Sequence, residues 1–362
     1  MNLLVINTFH KWERLTPLIE DIISGFKDNN HRIFVLSDKQ NKFSELSSLN
    51  KKSFFYKINK NNILSFTFKI LSVIRKYHVN LVLCCDKYDY YIGSITAKLN
   101  RIPCLRIIDS YIDLQFKSLF DKLFERQFIT HNILTACFVY NQARKTNKSL
   151  NKKYYSVIYT GKKVIIHDEN ETQKLRKKWA CDTNNIVIGM NTTLNDFDGI
   201  SDMLYVLNDL SEEYPDLRLV ISGIGNKKHK LLELCTKLNI TEKVIFTGFT
   251  KEPEINALAY DICINTSKLG YLPECIFDYL NAGKPIISVN IDGITEVLQD
   301  TCNSLLFPYR DTQTLKKHLI TILTNKNTRA YISNNALRTS KDFTYQKMIT
   351  NYENLFCRFI KS

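Results

Sequence analysis

Short apolar runs alternate with longer amphipathic stretches along the chain, and this alternation most constrains the fold. LLVINT (3–8) predicts a strand, the stretch with Leu18, Ile22 and Phe26 on one face predicts a helix, and HRIFVLS (31–37) predicts the next strand. Further strands of this half are predicted at 80–85, 102–108, 136–141 and 156–160. Strands that alternate with helices form parallel sheets with helices on both faces.

The same alternation starts again after a polar, charged stretch at residues 161–185. Strands are predicted at 185–191, 217–223, 243–249, 261–267 and 284–290. A chain of 362 residues is long for a single core, so two domains are expected. The sequence therefore predicts an α/β protein with two Rossmann-like, doubly wound parallel-sheet domains, joined near residues 160–180.

The net charge of +14 is distributed unevenly. Residues 1–160 contain 25 Lys and Arg against 12 Asp and Glu, whereas the remaining residues contain 25 against 24. This excess predicts an anionic partner for the first half, such as lipid headgroups or a phosphorylated acceptor, with a solvated lysine-rich surface as the alternative. Nucleic acid is not expected, because neither an aromatic-basic platform nor a recognition-helix motif is found.

The N-terminal residues and the cysteines predict a cytoplasmic protein. MNLLVINTFH lacks the basic region, long apolar core and cleavage site of a signal peptide. No apolar run approaches the roughly 18–20 residues of a membrane-spanning helix. The cysteines include no C-x-x-C pair, and Cys84 and Cys263 lie within apolar runs, which favours reduced core thiols over disulfides or a metal site.

One stretch of the first half suggests a peripheral position at the inner membrane face. Residues 64–78 place Leu64, Phe68, Leu71 and Ile74 at helical spacing, with basic residues elsewhere on the helix. An amphipathic basic helix can rest on an anionic membrane, although a stripe of this kind also suits a helix that faces the core.

A glycine turn stands where a predicted strand of the second half leads into a helix. Strand LRLVISG (217–223) continues into Gly223, Ile224 and Gly225 and then into a helical stretch. This geometry lets the backbone approach a ligand at a helix N-terminus, where free N–H groups favour phosphate. A tight turn without a ligand is the alternative.

The sequence around this turn resembles the donor-binding domain of family 4 glycosyltransferases. ISGIGNKKHKLLELCTKLNITEKVIFTGFTKEPEINALAYDICINTS (221–267) follows that domain's order of G-x-G turn, helix, V-x-F-x-G-F strand and D-V-x-x-x-x-S strand. LGYLPECIFDYLNAGKPIISVN (269–290) looks like the family's E-G-L-P-x-x-x-x-E-A-M-A-C-G-K-P-V-I block. The resemblance is strong over roughly residues 156–310, whereas over 1–155 only the element order agrees.

The resemblance implies a GT-B glycosyltransferase, in which two Rossmann-like domains face a cleft. Residues 1–160 would then bind the acceptor, residues 161–340 would bind a nucleotide-sugar donor, and 341–362 would form a helix that crosses back to the first domain. It also implies a transferase of the retaining type, which acts on a glycan or lipid-linked acceptor in polysaccharide or glycoconjugate synthesis. No cofactor or metal ion is expected, and no catalytic residue is named.

The resemblance also assigns donor contacts. Backbone N–H groups of the loop before the predicted helix would cap the diphosphate, and this loop consists of Gly270, Tyr271, Leu272 and Pro273. Asp278 would accept hydrogen bonds from the ribose hydroxyls. Gly223 and Gly225 would form the turn at the donor, with Thr193 and Lys268 nearby.

Three positions depart from the family's motifs. The first glutamate of its E-x7-E pair falls on Gly270, the arginine of its G-R-L-x-x-x-K-G segment on Thr193, and the lysine of that segment on Asp198. A charge-assisted contact is worth roughly 1.5–3 kcal/mol, so losing two weakens donor binding on the order of a hundredfold.

Three explanations of these departures stay open. Basic residues at new positions replace the lost charge, the donor differs from a nucleoside diphosphate sugar, or the chain is a catalytically silent partner subunit. The basic candidates are Lys162, Lys163, Lys227, Lys228 and Lys268. A sugar-phosphate epimerase of the same fold is disfavoured, because no convincing set of carboxylates and histidines is found.

Acceptor contacts are sought at the ends of predicted strands of the first half, where α/β sheets bind ligands. His10, Lys11 and Trp12 follow the first strand, with a packed surface loop as the alternative. Asp86 and Tyr88 follow a later strand, in a run where aromatic rings beside carboxylates suit sugar recognition. Asp109 follows the next strand, where a capping role is the alternative.

Overall fold

The chain divides into two compact units in a computed structural model. One unit comprises residues 1–160 and 345–362, and the other comprises residues 161–344. The structure describes residues 1–7, 15–29, 31–38, 53–58, 63–85, 87–115, 121, 124, 127–128, 130–165, 168–195, 199–268 and 271–361.

The described residues of the first unit form a seven-stranded parallel sheet, in the order β3-β2-β1-β4-β5-β6-β7. Its strands are β1 (Asn2–Asn7), β2 (Arg32–Asp38), β3 (Ser53–Ile58), β4 (Leu81–Cys84), β5 (Cys104–Ile108), β6 (His131–Leu134) and β7 (Tyr155–Val157). Its helices are α1 (Thr16–Asp28), α2 (Ile63–Lys76), α3 (Lys87–Leu99), α4 (Cys137–Thr146) and α12 (Tyr345–Lys361).

Two cores cover the two faces of this sheet, because successive strand residues point to opposite sides. Leu3 and Val5 of β1 pack into a core that includes α1 and α12. Leu4 and Ile6 pack into the other, which includes α2.

Helix α12 is part of the first unit although it ends the chain. Its buried residues Tyr352 and Phe356 lie in the core shared with α1. Its Glu353 Oε1 lies 2.7 Å from Nε2 of His31, which immediately precedes β2.

The prediction of a strand at 136–141 is wrong. These residues begin helix α4, and the strand of this region is β6, four fully buried residues that precede it. Phe138, Val139 and Tyr140 are consecutive and all buried, so their short apolar run resembled a strand. Strand β3 was also not predicted.

The second unit contains a six-stranded parallel sheet, in the order β10-β9-β8-β11-β12-β13. Its strands are β8 (Ile186–Asn191), β9 (Leu217–Ser222), β10 (Val244–Gly248), β11 (Ile262–Asn265), β12 (Ile286–Val289) and β13 (Leu305–Phe307). Its helices are α5 (Glu169–Lys178), α6 (Ile200–Leu210), α7 (Lys228–Lys237), α8 (Pro253–Ala259), α9 (Cys275–Ala282), α10 (Thr312–Thr324) and α11 (Lys326–Ser340).

The predicted α/β class with two doubly wound parallel sheets is confirmed. The five strands predicted in the second half correspond to β8 to β12 within a few residues at each end. Among the described residues, no helix is both long enough and apolar enough to cross a membrane.

Candidate functional site

The strand order of the second unit reverses between β8 and β11, which pair with each other at the middle of the sheet. Ligands of open α/β sheets bind outside the carboxyl ends of the strands at such a reversal. Thr192 and Thr193 follow β8, and Ser267 and Lys268 follow β11. The hydroxyl oxygens of Thr192 and Ser267 are 2.9 Å apart, so a hydrogen bond joins the two strand ends.

Gly223 and Gly225 let the loop after β9 pack against the loop after β8. A Cβ on Gly223, where φ is +152°, would lie 1.7 Å from the carbonyl oxygen of Thr192. A Cβ on Gly225 would lie 2.2 Å from the carbonyl oxygen of Leu194. Thr192 N–H donates to the Ser222 carbonyl at 2.9 Å, and Leu194 N–H donates to the Ile224 carbonyl at 3.0 Å. The two glycines thereby fix the backbone on either side of Thr193, which is half-exposed.

A buried polar network lies beneath these strand ends. The Ser222 hydroxyl accepts hydrogen bonds from Asn256 Nδ2 at 2.8 Å and from Thr247 Oγ1 at 2.9 Å. The Tyr260 hydroxyl donates to Asn191 Oδ1 at 2.8 Å and lies 3.1 Å from Ser222 Oγ. Burial raises the pKa of Tyr260, so this hydroxyl stays a donor at neutral pH. No local sequence motif predicts this network, because its members come from separate elements.

The loop before α9 and the first turn of that helix carry most of the predicted donor contacts. Leu272 and Pro273 are buried and Tyr271 is half-buried, whereas Gly270 lies outside the described residues. Asp278 stands in the first turn of α9, where a carboxylate interacts favourably with the helix dipole.

The carboxylate of Asp278 is only 2% exposed and is paired with Lys162. The Lys162 ammonium lies 3.2 Å from Asp278 Oδ1. Burial raises the pKa of Asp278, and the charge of Lys162 opposes that rise.

Glu274 also contacts the ammonium group of Lys162, and the carboxyl group of Glu254 lies within range of its charge. Glu274, the residue that precedes α9, places Oε2 at 3.4 Å from Lys162 Nζ. Burial raises the pKa of Glu254, and the negative charge of Asp278 raises it further while Lys162 lowers it. We call these four residues the Lys162 cluster: Lys162, Glu254, Glu274 and Asp278.

Lys162 is thus the basic candidate that contacts the predicted ribose-binding carboxylate. Lys268 is exposed, and its ammonium lies 4.9 Å from the ring centroid of Tyr309. Lys163 and Lys228 are exposed, and the N–H of Lys227 donates to the Leu194 carbonyl at 2.9 Å. Asp198, which replaces the family's lysine, lies outside the described residues.

The predicted acceptor residues lie in a part of the first unit that is only partly described. His10, Lys11, Trp12 and Asp86 lie outside the described residues, as does the side chain of Tyr88. Asp109 is buried directly after β5. The cap of the following 3-10 turn is its neighbour Ser110, whose hydroxyl oxygen accepts from Ile112 N–H at 3.4 Å. Within the described residues, no group of three or more His, Cys, Asp or Glu residues is placed to hold a metal ion.

Comparison with solved structures shows the fold to which the two units belong. A glycosyltransferase from Rickettsia africae is 17% identical and superposes with a TM-score of 0.88, over 100% of this chain and 99% of that one. HepE of Anabaena, solved in complex with UDP-glucose, is 18% identical with a TM-score of 0.85, over 99% of this chain and 100% of that one. With its two doubly wound sheets, the protein has the GT-B fold of glycosyltransferases.

Sequence comparison relates the second unit to a family of this fold. Residues 171–339, which lie within that unit, match the family model of glycosyl transferases group 1. The O-antigen biosynthesis glycosyltransferase WclY of Escherichia coli is 27% identical over 213 residues. That match spans 56% of this chain and 58% of WclY, little more than half of either protein.

Proposed function

We propose that this protein is a glycosyltransferase that moves a sugar from a nucleotide donor to a glycan or lipid-linked acceptor in cell-surface polysaccharide or glycoconjugate synthesis. HepE has been solved with UDP-glucose, and WclY acts in O-antigen biosynthesis, which supports a nucleotide sugar as donor and a glycan product. We further propose that transfer retains the anomeric configuration and needs no metal ion or other cofactor.

The position of Asp278 is the observation that carries this proposal. The resemblance assigns the ribose hydroxyls to this residue, and the structure has its carboxylate buried in the first turn of α9. A buried carboxylate that accepts hydrogen bonds discriminates strongly for hydroxyl donors, because leaving its lone pairs unsatisfied is costly.

Lys162 is our candidate for one of the two missing cations. The family's arginine and lysine positions hold Thr193 and Asp198 in this chain. Lys162 supplies a positive charge that already contacts Asp278, the predicted ribose-binding carboxylate, and Glu274. An ammonium group beside the donor phosphates would stabilise the negative charge that develops on the leaving diphosphate.

We propose that the first unit binds the acceptor and rests on an anionic membrane at its inner face. On α2, Leu64 is 73% exposed and Phe68 is 69% exposed, and Ile63 of the same helix is exposed as well. Leu99, the last residue of α3, is also exposed. Ile74 of the predicted stripe is instead buried with Phe66 and Ile70, so α2 has a second apolar surface besides the one that faces the core. The exposed basic residues Arg75 and Lys76 end the same helix, and the whole unit carries an excess of positive charge. Apolar residues beside basic ones suit an anionic bilayer surface.

The test is nucleotide binding by the full-length protein, followed by transfer. Thermal shift is measured against nucleoside diphosphates and nucleotide sugars with uracil, guanine, adenine and thymine bases. We expect stabilisation by one base series and a Kd about tenfold to a hundredfold weaker for Asp278→Ala. The matched control is Glu242→Gln, an exposed carboxylate that precedes β10 at the other edge of the sheet.

The same panel separates the proposal from its rival. Binding that persists in EDTA, with release of nucleotide from the donor, supports metal-independent transfer, and NMR of the product's anomeric proton tests retention. Failure of every nucleotide and nucleotide sugar to stabilise the protein overturns the enzyme and favours a silent partner subunit, the alternative based on the residues found at Thr193, Asp198 and Gly270.

A further inference from the structure

The carboxylate of Asp278 is covered by neighbouring groups. Its side chain is 2% exposed, and the ammonium of Lys162 lies against Oδ1 at 3.2 Å. The ammonium also contacts Glu274 at 3.4 Å, and the Lys162 side chain itself is 15% exposed. A ribose that approaches Oδ1 of Asp278 therefore meets the Lys162 ammonium, which would have to move aside.

Moving Lys162 has an electrostatic cost, because a neutral ligand offers the ammonium no new anion. The ammonium contacts Asp278 and Glu274, and its departure leaves the buried carboxylate of Asp278 without this cation. Removing one partner of a buried ion pair is strongly unfavourable, because the other charge stays uncompensated. A ligand that offers Lys162 a new anion recovers part of this cost.

We propose that Lys162 is an exchangeable counter-ion that makes access to Asp278 depend on the donor's diphosphate. In the free protein the ammonium covers Asp278; when a nucleoside diphosphate binds, the ammonium turns to the phosphates and Asp278 accepts the ribose hydroxyls. This inference rests on the proposed function, since it requires a nucleotide donor. It makes Lys162 a residue that selects phosphorylated nucleosides over free ones.

The backbone at Lys162 is suited to an exchange by side-chain rotation. Its N–H donates to the Phe343 carbonyl at 2.9 Å, and the residue forms a parallel bridge with Thr344. The neighbouring Lys163 carbonyl accepts a hydrogen bond from Asn281 Nδ2 of α9 at 2.7 Å. Hydrogen bonds to other parts of the second unit therefore hold the main chain in place, while the flexible four-carbon stem of the lysine lets the ammonium move.

The first experiment measures thermodynamic coupling in the unaltered protein. The probes are inorganic pyrophosphate and the free nucleoside whose diphosphate stabilises the protein most in the thermal-shift panel. Pyrophosphate draws Lys162 away from Asp278, so we expect saturating pyrophosphate to tighten nucleoside binding roughly tenfold, a common size for coupling between sites. Independent binding or mutual competition of the two probes overturns the exchange.

The second experiment replaces the lysine. In Lys162→Met, binding of the nucleoside diphosphate is expected to weaken about tenfold to a hundredfold, while binding of the free nucleoside stays equal or becomes tighter. Lys237→Met, which removes an exposed lysine at the C-terminal end of α7, is the matched control and should leave both affinities unchanged. Equal weakening of nucleoside and diphosphate in Lys162→Met contradicts the proposal, because that result indicates a purely structural lysine.

The two proposals fail in different ways. No binding of any nucleoside diphosphate to the unaltered protein overturns the proposed function together with the exchange. Diphosphate binding without coupling to the nucleoside overturns the exchange alone. If Lys162→Met does not fold, the pyrophosphate coupling still decides, and Lys162→Arg should preserve that coupling because it keeps the positive charge.

Discussion

The two units share a strand order and differ in where they carry charge and polar groups. Strands β1 to β6 lie in the same order in their sheet as β8 to β13 do in theirs. The strand order therefore reverses at the corresponding place in both sheets. The first unit concentrates the chain's excess of basic residues and exposes Leu64 and Phe68 on α2. The second unit is nearly neutral and carries a buried hydrogen-bond network and the Lys162 cluster at its strand ends. The strand order therefore determines which edge of a sheet can bind a ligand, whereas the side chains at that edge determine which ligand is bound.

The largest expected effect tests whether the strand-end loops of the second unit need their close packing. In Gly223→Ala, the new Cβ would collide with the Thr192 carbonyl oxygen at 1.7 Å, and the backbone would have to shift. We expect a loss of about 3 kcal/mol in the free energy of unfolding, measured by urea denaturation.

Gly248→Ala is the control for this variant, because Gly248 also has positive φ but has no atom within 4 Å of the added Cβ. It should cost about 1–2 kcal/mol, the penalty of the backbone conformation alone. Equal losses of unfolding free energy in the two variants would show that the loops after β8 and β9 do not need their close packing. The strand-end loops would then no longer distinguish the second unit from the first.

The second prediction tests the buried charge of the second unit through pH. Because burial raises the pKa of Asp278, its contribution to stability is present below the ordinary pKa of aspartate and is lost as the pH rises through the folded-state pKa. The unfolding free energy of wild type minus that of Asp278→Asn should therefore fall as the pH rises through the mildly acidic range. Lys162, Glu254 and Glu274 are retained in both proteins.

Asp311→Asn supplies a comparison with the opposite sign. Asp311 caps α10, and its hydrogen bonds from Thr314 lower the pKa of its carboxyl group. Its contribution is present above the ordinary pKa and is lost as the pH falls through the folded-state pKa. Urea titrations of both variants at several pH values should give opposite slopes, and slopes of the same sign would contradict the buried state of Asp278.

The smallest expected effect on stability tests the surface of the first unit. Leu64→Ser combined with Phe68→Ser should change the unfolding free energy by no more than about 0.5 kcal/mol per residue, because both side chains are largely exposed. Sedimentation with phosphatidylglycerol vesicles should nevertheless be lost, whereas phosphatidylcholine vesicles should bind neither protein.

The matched control removes exposed aromatic side chains from the second unit. Tyr205 of α6 is 49% exposed and Tyr331 of α11 is 56% exposed. Tyr205→Ser with Tyr331→Ser should leave vesicle binding intact. If this control abolishes binding as well, or if the α2 variant still sediments, the membrane surface does not lie on the first unit.

The second unit could be predicted in more detail than the first. Strands β8, β9 and β11 are almost entirely buried on both faces, and such strands appear as continuous apolar runs in the sequence. Strand β6 instead begins with His131 and Asn132, which are buried, so it lacks that signal. The His131 ring can be buried because its Nε2 has a hydrogen-bond partner, Ser156 Oγ of β7, at 2.8 Å. Only the pairing of β6 with β7 brings this partner into place.

The sequence predicts residues for the candidate site but does not predict their contacts. Asp278 and the glycine turn were found because local motifs place them at a helix start and a strand end. The pairing of Lys162 with Asp278 joins residues 116 positions apart in sequence, as the numbering shows. No local pattern encodes such a pair, since it depends on how the chain after β7 packs against α9.

The sequence by itself determined the α/β class, the two domains, the position of the glycine turn and the unequal charge of the two halves, because periodicity and composition are local properties. The tertiary structure alone decided that Gly223 and Gly225 serve loop packing and that Leu64 and Phe68 remain outside the core. It also decided that Lys162 covers Asp278. Each of these facts depends on what lies beside a residue in space, and burial, electrostatics and close packing act between neighbours that are distant along the chain.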